Sequence, residues 1–488
     1  MNQLWAAVPH VLSALCAFQL QRFGSAGDSH VHPAIAIAML IAVAFVFILK
    51  RKFVIVPLLV AGLLIPMDQV LVIGGLHFQM IRLLILFGWT RVLLTRSSSE
   101  GVLISGGIRK MDVALLLSAS IAAIDTVLLW QDQASFTNQL GTLYTILGLY
   151  FLLRCLLRSS AELILALKTL AFVCGIVAVI MTLEQITGHN PYAYVWAGAS
   201  SGITVMERDG HRRAMACFAH PLLAGSFGGI TLPLFFGLWW KDRRSRLIAV
   251  LGMIATTVIV WAANSSTPLL AYLGALLAIC LWPVRKRMRM LRWALLITLT
   301  SLHLVMKAPV WALIARVDVT GSSSGYHRYQ LVDQFIRRFG DWWLIGTKGN
   351  SDWGWDMWDL ANQYVAVGET SGLIPFLCFL AIIVFAFKDI GRARAKARDR
   401  KDELLLWALG AALFANVVGF FGISYFDQTM VAWYLLLAMI PAACADANVT
   451  ALATVRFPGP KQIDVRPRFI PVSQRGSRLQ SFYHARQC

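Results

Sequence analysis

Two stretches of this sequence carry closely spaced arginines, and arginine is well suited to binding phosphate. The first stretch, 186–214, ends with Arg208, His211, Arg212 and Arg213. The second stretch has arginines with carboxylates between them: Arg316, Arg328, Asp333, Arg337, Arg338, Asp341, Asp352, Asp356 and Asp359, all within 312–365. A guanidinium group donates in a fork to phosphate oxygens, and a carboxylate can accept a proton. These residue types suit the binding of an anionic substrate and proton transfer.

The second stretch is also rich in tryptophan. Six of the seventeen Trp residues lie in it or at its border: Trp311, Trp342, Trp343, Trp353, Trp355 and Trp358. Tryptophan at a membrane surface commonly anchors a protein at the headgroups. Its face also stacks on sugar rings, where the apolar body and polar edge both fit. Both interpretations stay open, and the charged residues between the tryptophans favour a role in binding.

A polar strip follows at Asp359–Phe376, "DLANQYVAVGETSGLIPF". It opens with Asp359, Asn362 and Tyr364, carries one acid at Glu369, and continues directly into an apolar segment. A polar strip at the mouth of a membrane segment predicts a cleft that is open both to water and to lipid.

The composition requires a membrane protein. Of 488 residues 58% are hydrophobic and 14% are charged, which excludes an ordinary soluble chain. A bilayer core about 30 Å thick needs about 20 apolar residues per helix. Thirteen segments have this character: 33–49, 53–73, 79–95, 112–130, 140–157, 163–185, 215–240, 246–263, 267–283, 291–311, 371–387, 403–422 and 429–443. We therefore expect an all-α, polytopic membrane bundle of about 12–14 helices with a large loop on the outer face.

The placement of the basic residues predicts the topology. Connections at 50–52, 91–110, 154–158, 241–246, 285–292 and 388–401, together with the tail from Arg456, hold 32 of the 44 Lys and Arg residues. Assigning these connections to the cytoplasm satisfies the positive-inside rule. Arg154 and Lys168 are then expected to extend toward the cytoplasmic surface. Basic loops beside membrane segments explain the net charge of +19 without nucleic acid as a partner.

Alternation from these loops divides the chain into two parts. Residues 1–445 form the transmembrane domain, with 186–214 and 312–365 on the outer face. Residues 446–488 form a basic tail with four prolines, which we expect to be disordered in the cytoplasm. The glycine-serine run at 320–325 predicts a hinge or loop.

Motifs for metals, nucleotides and disulfides are missing from the sequence. The eight cysteines lie mostly in apolar runs and form no CxxC pair, so they read as small apolar side chains. Neither a zinc pattern nor a phosphate-binding glycine loop occurs. We expect no cofactor, no metal and no ATP-driven transport.

The stretch 326–339, "YHRYQLVDQFIRRF", predicts an amphipathic helix. Its apolar positions are Tyr329, Val332, Phe335 or Ile336, and Phe339, at helical spacing. His327, Arg328, Gln334 and Arg338 are expected on the opposite side. Such a helix suits the outer leaflet or the roof of a cavity.

Three segments resemble the O-antigen ligase and polymerase superfamily, bacterial membrane enzymes that move lipid-linked glycans on the periplasmic side. The first is 212–234, "RRAMACFAHPLLAGSFGGITLPL". The positions that match the family pattern are Arg213, Phe218, Pro221, Ala224 and Gly225. The family often has Gly where Ala216 stands and Asn where Leu222 stands.

The other two matches lie in and after the second arginine-rich stretch. In 325–347, Arg328 begins an amphipathic helix and Gly346 ends the following turn. In the polar strip, Asn362 is followed by nine residues and Gly372. Ligases carry a His where Ala361 stands here, and Pro375 occupies the last position of the pattern.

The resemblance implies that the outer loops, 186–214 and 312–365, are periplasmic loops, and that a glycan is transferred there from a polyprenyl diphosphate. Negative charge then develops on a phosphate oxygen, and fixed guanidinium groups stabilise it. On this basis Arg213 and Arg328 are catalytic candidates, and Arg212 and Arg338 are substrate-binding candidates. Arginines would neutralise the diphosphate without a metal ion.

The acceptor hydroxyl needs a general base, and the alternatives remain open. Asp359, Glu369 and His327 are the candidates, with Asp359 preferred because it lies two residues before Ala361. Asp359 could instead cap a helix or pair with a site arginine, and Glu369 could sit at a helix N-terminus. His220 could be catalytic or could only hydrogen-bond within the bundle.

Further substrate-binding candidates complete the set. They are His327, Asn362, Tyr364 and Glu369 in the second stretch and the polar strip, and Arg82 within a span. Arg82 could line a substrate path or pair with Asp68.

The function expected from this resemblance is a polymerase that joins polyprenyl diphosphate-linked oligosaccharide units on the periplasmic face of the bacterial inner membrane. The route would be O-antigen or exopolysaccharide synthesis. Expected partners are the lipid-linked glycan, membrane lipids and other polysaccharide assembly proteins. The alternatives are a ligase that transfers glycan to a lipid acceptor and a flippase for lipid-linked glycan. Flippases tend to have short outer loops and internal repeats. This sequence has a long outer loop at 312–365 and no detectable repeat, which disfavours a flippase.

Overall fold

The computed structural model describes residues 29–74, 76–96, 104–195, 205–208, 210–316, 324–354, 357 and 359–456, with the side chains of 96, 324 and 446–456 left aside. The predictions for Trp355, Asp356, Trp358 and the tail beyond 456 lie outside the described residues. So does most of the glycine-serine run.

The described chain is almost entirely helical. Its seventeen α-helices are α1 (Pro33–Ile48), α2 (Ile55–Leu64), α3 (Met80–Arg96), α4 (Lys110–Trp130), α5 (Gln133–Leu156), α6 (Ser160–Thr187), α7 (Pro221–Lys241), α8 (Arg246–Ala263), α9 (Ser266–Cys280), α10 (Met288–Val305), α11 (Leu313–Arg316), α12 (Ser324–Arg337), α13 (Phe339–Trp342), α14 (Gln363–Ser371), α15 (Leu373–Lys396), α16 (Arg400–Gly419) and α17 (Gln428–Arg456). Two short antiparallel hairpins accompany them, β1 (Val70–Ile73) with β2 (Leu76–Gln79) and β3 (Met206–Arg208) with β4 (His211–Arg213). The all-α expectation is confirmed.

Each of the thirteen apolar segments predicted from the sequence contains a helix. Nine of the described helical segments are long and apolar enough to cross a membrane: Lys110–Trp130, Gln133–Leu156, Ser160–Thr187, Pro221–Lys241, Arg243–Ala263, Trp282–Val305, Leu373–Lys396, Arg400–Gly419 and Gln428–Ala445. Two shorter apolar helices, α1 and α9, accompany them. The last helix continues to Arg456, so helix extends into the segment expected to be a disordered tail.

Local sequence signals set the ends of these helices. Ser159 and Glu162 form a reciprocal capping box at the start of α6, and Gly188 ends that helix at φ 75°. Asn264, at φ 42°, ends α8 in the left-handed conformation that asparagine tolerates. These stops set the positions of the connections at the helix ends.

Helix α7 is the centre of the bundle. It packs against α6, α8, α9, α16 and α17, and most of its residues are buried. Its glycines allow this close approach, because a Cβ atom at Gly225 would lie 2.6 Å from both Ala263 Cβ and Pro268 Cγ. Small residues at such crossings let helices pack without a hydrophobic driving force from water.

The predicted cytoplasmic connections meet at one end of the bundle through ion pairs. Arg109 pairs with Asp389 at 3.3 Å and Lys168 with Asp242 at 3.2 Å, while Lys241 pairs with Asp402. Arg154 differs from its expectation. It is fully buried and contacts Asp112 instead of extending to the surface.

Arg154 belongs to a buried polar network between α4 and α5. Its Nη2 donates to Asp112 Oδ2 at 3.4 Å, and its Nη groups donate to the backbone oxygens of Ser105 and Gly107 at 3.1 and 2.9 Å. The hydroxyl of Tyr150 also donates to Asp112. A buried cation with a carboxylate and carbonyl oxygens around it is satisfied in place.

Helices α12–α14 build a small second core on the opposite end of the bundle. Its buried residues are Leu331, Phe335, Trp342, Trp353, Met357 and Val365. Phe335 stacks on Trp342 with ring centroids 4.0 Å apart. Trp342 and Trp353 are therefore core residues of this unit, whereas Trp343 is exposed.

The amphipathic helix predicted at 326–339 is present, but its packed face is rotated by about one residue. Leu331 and Phe335 are buried, and Ile336 and Phe339 are exposed. Arg328 lies at helical spacing from Leu331 and Phe335 and is 7% exposed. The expectation that Arg328 faces away from the packed side was wrong.

Candidate functional site

The most unusual charge in the described chain is Arg213, at the end of strand β4. Its side chain is only 8% exposed. One Nη donates to Ser265 Oγ at 2.5 Å, and Ser265 in turn donates to the carbonyl of Ala263 at 3.1 Å. Within the described residues, no carboxylate accepts from Arg213, and its buried Nε has no hydrogen-bond partner. The guanidinium group keeps donor capacity for a ligand.

Arg213 keeps its positive charge in this position. Burial, and second the neighbouring Arg208 cation, lower its pKa from 12.5 to about 10. That pKa still lies well above neutral pH, so the group stays protonated. A buried cation without a described counter-ion is costly for the fold and attracts an anion.

His220 lies beside this cation, at the start of α7. Its Nδ1 accepts from the backbone N–H of Leu222 at 3.1 Å, so a neutral ring carries its proton on Nε2. Burial lowers the pKa of His220 to about 4, with the charge of Arg213 as the second cause. The imidazole is therefore a neutral hydrogen-bond donor at physiological pH.

The helix end adds to the same electrostatic field. The N-terminus of α7 carries a partial positive charge. Its first backbone N–H groups are already paired, because Leu222 donates to His220 Nδ1 and Leu223 donates to the His220 carbonyl, so the free donors here are side-chain groups. With Arg213 and His220 beside it, this end of α7 has the donors and the charge for a phosphate or carboxylate group.

A buried carboxylate holds the backbone between β4 and α7. Glu184 of α6 is fully buried and accepts from the backbone N–H groups of Met215 at 2.8 Å and Ala216 at 2.6 Å. The Nδ2 of Asn190 donates to the Ala216 carbonyl at 2.9 Å. Ala216 itself has φ 51°, a left-handed conformation that favours glycine. This tight turn brings Arg213 and His220 to one place.

Asp427 is a further titratable group at this end. Its Oδ2 accepts from the backbone N–H of Ala219, the residue before His220, at 2.7 Å. Its Oδ1 is buried and has no hydrogen-bond partner among the described residues. Burial raises the pKa of Asp427 to about 7, and the nearby Asp68 carboxylate raises it as well. A carboxyl group that titrates near neutrality can exchange a proton with a substrate.

Arg212, predicted to bind substrate, has a different environment from Arg213. Its Nη1 donates to the carbonyls of Gln185 and Ile186 at 2.8 and 3.1 Å, at the C-terminal end of α6. Its Nε lies 3.7 Å from the carboxylate of Glu207. These contacts match a helix C-cap.

Arg82, the predicted site residue within a span, contacts α5 and strand β2. Its Nε donates to Thr145 Oγ1 at 3.3 Å and its Nη1 donates to the His77 carbonyl at 2.9 Å. The guanidinium also fills the space above Gly141. The described contacts of Arg82 are therefore with α5 and β2, and none of them is with the residues around Arg213.

The predicted residues of 325–347 lie in the second core. Arg328 is buried there and His327 is partly buried. Arg338 donates to the side chain and the backbone carbonyl of Asp352 at 2.8 and 2.7 Å, and lies 3.6 Å from Asp341. Arg338 thus links two parts of its own loop, and Arg328 is the more enclosed of the two cations.

The polar strip has mostly structural contacts. Asn362 caps α14, because its Oδ1 accepts from the backbone N–H groups of Tyr364 and Val365 at 2.9 and 3.2 Å. The hydroxyl of Tyr364 donates to the Val417 carbonyl at 3.1 Å. Glu369 is buried and Asp359 is exposed. The cap that the sequence suggested for Asp359 belongs to Asn362.

The segment that joins α16 to α17 connects the two groups of residues. On one side Gln363 N–H donates to the Phe420 carbonyl at 2.8 Å. On the other side Thr267 Oγ1, two residues after Ser265, donates to the Gly422 carbonyl at 3.3 Å. The same segment ends at Asp427. The structure thus connects the α14 strip to the Arg213 site through one short connection.

Sequence reasoning missed Glu184, Ser265 and Asp427. Ser265 lies in a polar turn, "NSSTP", and Asp427 lies directly before the last apolar segment. Each is a polar residue at the predicted outer end of a span, which is the signal that could have found them. Glu184 lies near the end of a long apolar run and carries the same signal.

Comparison with known proteins gives no further identification. Neither the models of known protein families nor the curated proteins contain a match to this chain. Over the described residues, no group of three or more His, Cys, Asp or Glu side chains could hold a metal ion.

Proposed function

We propose that this chain is a membrane glycosyltransferase of the polymerase type, which joins polyprenyl diphosphate-linked oligosaccharide units at the outer face of the bacterial inner membrane. The observation that supports it is Arg213, a buried cation for which the described chain offers no carboxylate partner. It lies beside a neutral His220 and the N-terminus of a long helix. A diphosphate is an anion with the oxygens to fill such a site.

The proposed reaction balances with these groups. An acceptor hydroxyl oxygen bonds to the anomeric carbon of the donor sugar, and the bond from that carbon to the diphosphate oxygen breaks. The bonding electrons go to the diphosphate, where Arg213 and the Nε2–H of His220 stabilise the added charge. The hydroxyl proton goes to a general base. Arg328 is the second proposed cation.

Asp427 joins the candidates for the general base. Its carboxylate accepts from the backbone N–H of Ala219, the residue directly before His220. Its pKa of about 7 suits proton transfer at neutral pH. Asp359, Glu369 and His327 remain the other candidates. We place Asp427 first, because it contacts the backbone directly before His220 and its pKa lies near neutrality.

The test is glycan polymerisation in liposomes that contain the purified protein and polyprenyl diphosphate-linked repeat units. We compare the wild type with Arg213→Gln and with Arg243→Gln, which removes an exposed arginine at the opposite end of the bundle. A gel ladder of growing glycan should form with the wild type and Arg243→Gln. Arg213→Gln should reduce the turnover by about 10²–10³-fold, the usual effect of losing one donor to a developing oxyanion.

Other products would change the conclusion. Glycan transferred once to an added lipid acceptor, without a ladder, would make the protein a ligase. Labelled lipid that crosses the bilayer without any glycan product would make it a flippase. A ladder that forms equally well with Arg213→Gln would remove Arg213 from the mechanism.

A further inference from the structure

A second charged site lies at the opposite end of the bundle, where the basic connection before α10 and the start of α10 lie beside Arg394 of α15. It is a groove of about 660 Å³ whose lining includes six cations: Arg285, Lys286, Arg287, Arg289, Arg292 and Arg394. The other described lining residues are Met288, Met290 and Trp293. The groove therefore combines concentrated positive charge with apolar side chains, and it plays no part in the proposed transfer reaction.

The floor of the groove is held by aromatic side chains. The guanidinium of Arg285 lies 4.1 Å from the ring centre of Trp282, and its Nε donates to Glu403 at 3.1 Å. Arg394 donates to the Arg285 carbonyl at 3.1 Å and lies 5.3 Å from the ring centre of Trp407. Cation–π contacts and hydrogen bonds fix both guanidinium groups in place. Glu403 neutralises only one of the six cations.

The four remaining cations of the connection are solvent-exposed. Lys286, Arg287, Arg289 and Arg292 form no ion pair with a carboxylate in the described part of the chain. Four uncompensated charges within seven residues repel one another at low ionic strength. An anion in the groove would relieve this repulsion.

Helix α10 extends away from the groove, and its surface is mostly apolar. Its 18 residues span about 27 Å, close to the thickness of a bilayer core. None of its residues is buried, and Trp293, Leu296 and Ile297 are more than half exposed. In a membrane, acyl chains cover such a surface.

We propose that this groove binds an anionic phospholipid, with the phosphate headgroup among the basic residues and the acyl chains along α10. A free phosphate would contact only the basic residues of the groove, and a neutral lipid would contact only the apolar surface of α10. A phospholipid with a net negative headgroup matches both, because its charge and its acyl chains belong to one molecule, as the basic residues and the exposed apolar surface of α10 belong to one continuous segment. Basic pockets beside membrane helices are suited to such headgroups.

The test is native mass spectrometry of the full chain in detergent, with equal amounts of phosphatidylglycerol and phosphatidylcholine. The wild type should retain phosphatidylglycerol in preference. Arg287→Gln/Arg289→Gln should bind it about thirtyfold more weakly, because each cation near an anionic headgroup contributes about fivefold. Arg243→Gln/Arg244→Gln is the matched control, since both of its arginines are exposed at the same end, and it should bind like the wild type.

Five results would overturn the proposal. Equal retention of the two lipids by the wild type would show that charge is not recognised. Equal losses in both double variants would show only a general effect of net charge. Competition by inorganic phosphate at the same concentration as lipid would make the groove a site for free anions. A protein dimer that excludes lipid, or a preference for polyprenyl diphosphate over phosphatidylglycerol, would assign the groove to another occupant.

Discussion

His220 and Asp427 provide a test of the electrostatics around the start of α7, because burial shifts their pKa values in opposite directions. Burial and Arg213 lower the pKa of His220 from 6.5 to about 4, while burial raises that of Asp427 from 3.8 to about 7. Between pH 4 and 6.5 the unfolded chain protonates the histidine and the folded chain does not. Over the same range the folded chain keeps the proton of Asp427 and the unfolded chain loses it.

The two groups therefore have opposite effects on the free energy of unfolding. His220 makes the folded state more stable as the pH rises through this range, by about 1.4 kcal/mol per pH unit at most. Asp427 makes it less stable by about the same amount per unit. In the wild type the two pH dependences of the free energy of unfolding nearly cancel. Replacing one of the two residues should leave only the pH dependence of the residue that remains.

The variants are His220→Asn and Asp427→Asn. Asparagine can cap α7 in place of His220, and at position 427 it tolerates φ 63° and can still accept from Ala219. Relative to the wild type, His220→Asn should lose stability as the pH rises from 4.5 to 6.5, and Asp427→Asn should gain it. Each change should reach about 2–3 kcal/mol over those two units.

The assay is the unfolding of each purified protein in detergent at pH 4.5, 5.5 and 6.5, followed by tryptophan fluorescence. All other groups titrate equally in these proteins, so they cancel in the comparison with the wild type. The double variant should return to the wild-type slope. Slopes of the same sign in both single variants, or none in either, would refute the description of this site as a neutral imidazole beside a protonated carboxyl group.

Three further substitutions test the packing around the site and the opposite end, each by unfolding in detergent. Glu184→Ala should destabilise the fold by about 3–6 kcal/mol, because two backbone donors lose a buried carboxylate, and Glu184→Gln should cost less, since the amide oxygen still accepts. Ala216→Gly should leave the free energy of unfolding unchanged or raise it by about 1 kcal/mol, because glycine adopts the left-handed backbone without strain. A decrease of more than about 1 kcal/mol would show that the alanine is not strained at this position. Asp112→Ala should lower the free energy of unfolding by about 3–5 kcal/mol, because it leaves the Arg154 cation buried without its carboxylate. Adding Arg154→Met to this variant should recover part of the lost stability. Additive losses in the double variant would show that the two residues are not coupled.

Hydropathy and charge were sufficient to predict the helices and the two ends of the bundle. Apolar length alone placed a helix in each of thirteen segments, because every backbone group in a bilayer must be satisfied within its own helix. The basic connections at 241–246 and 388–401 do meet at one end, since Lys241 pairs with Asp402 at the start of α16. The connection at 50–52 lies at the same end, because Arg51 pairs with Glu162 in the first turn of α6. These features depend on local composition, which a single sequence records.

Contacts between distant segments could not be predicted in this way. Arg213 was found from its residue type, but its partner Ser265 lies 52 residues away and Asp427 contacts Ala219 across 208 residues. The face of α12 was mistaken because periodicity does not reveal which side a neighbour covers: Arg328 shares the buried side with Leu331 and Phe335. These contacts depend on how the helices pack against one another, and that packing depends on residues throughout the chain.

Arg154 and Arg213 show how one residue type serves two purposes in this fold. Both are buried arginines, but Arg154 has a carboxylate, a tyrosine and two backbone carbonyls around it. Arg213 has Ser265 alone among the described side chains, beside a histidine whose pKa its charge helps to lower. A paired buried charge stabilises one arrangement of helices, whereas an unpaired one destabilises the fold until an anion arrives. The electrostatic cost at Arg213 is therefore the property that separates a binding group from a structural one, and it is why the proposed diphosphate site is at this end of α7.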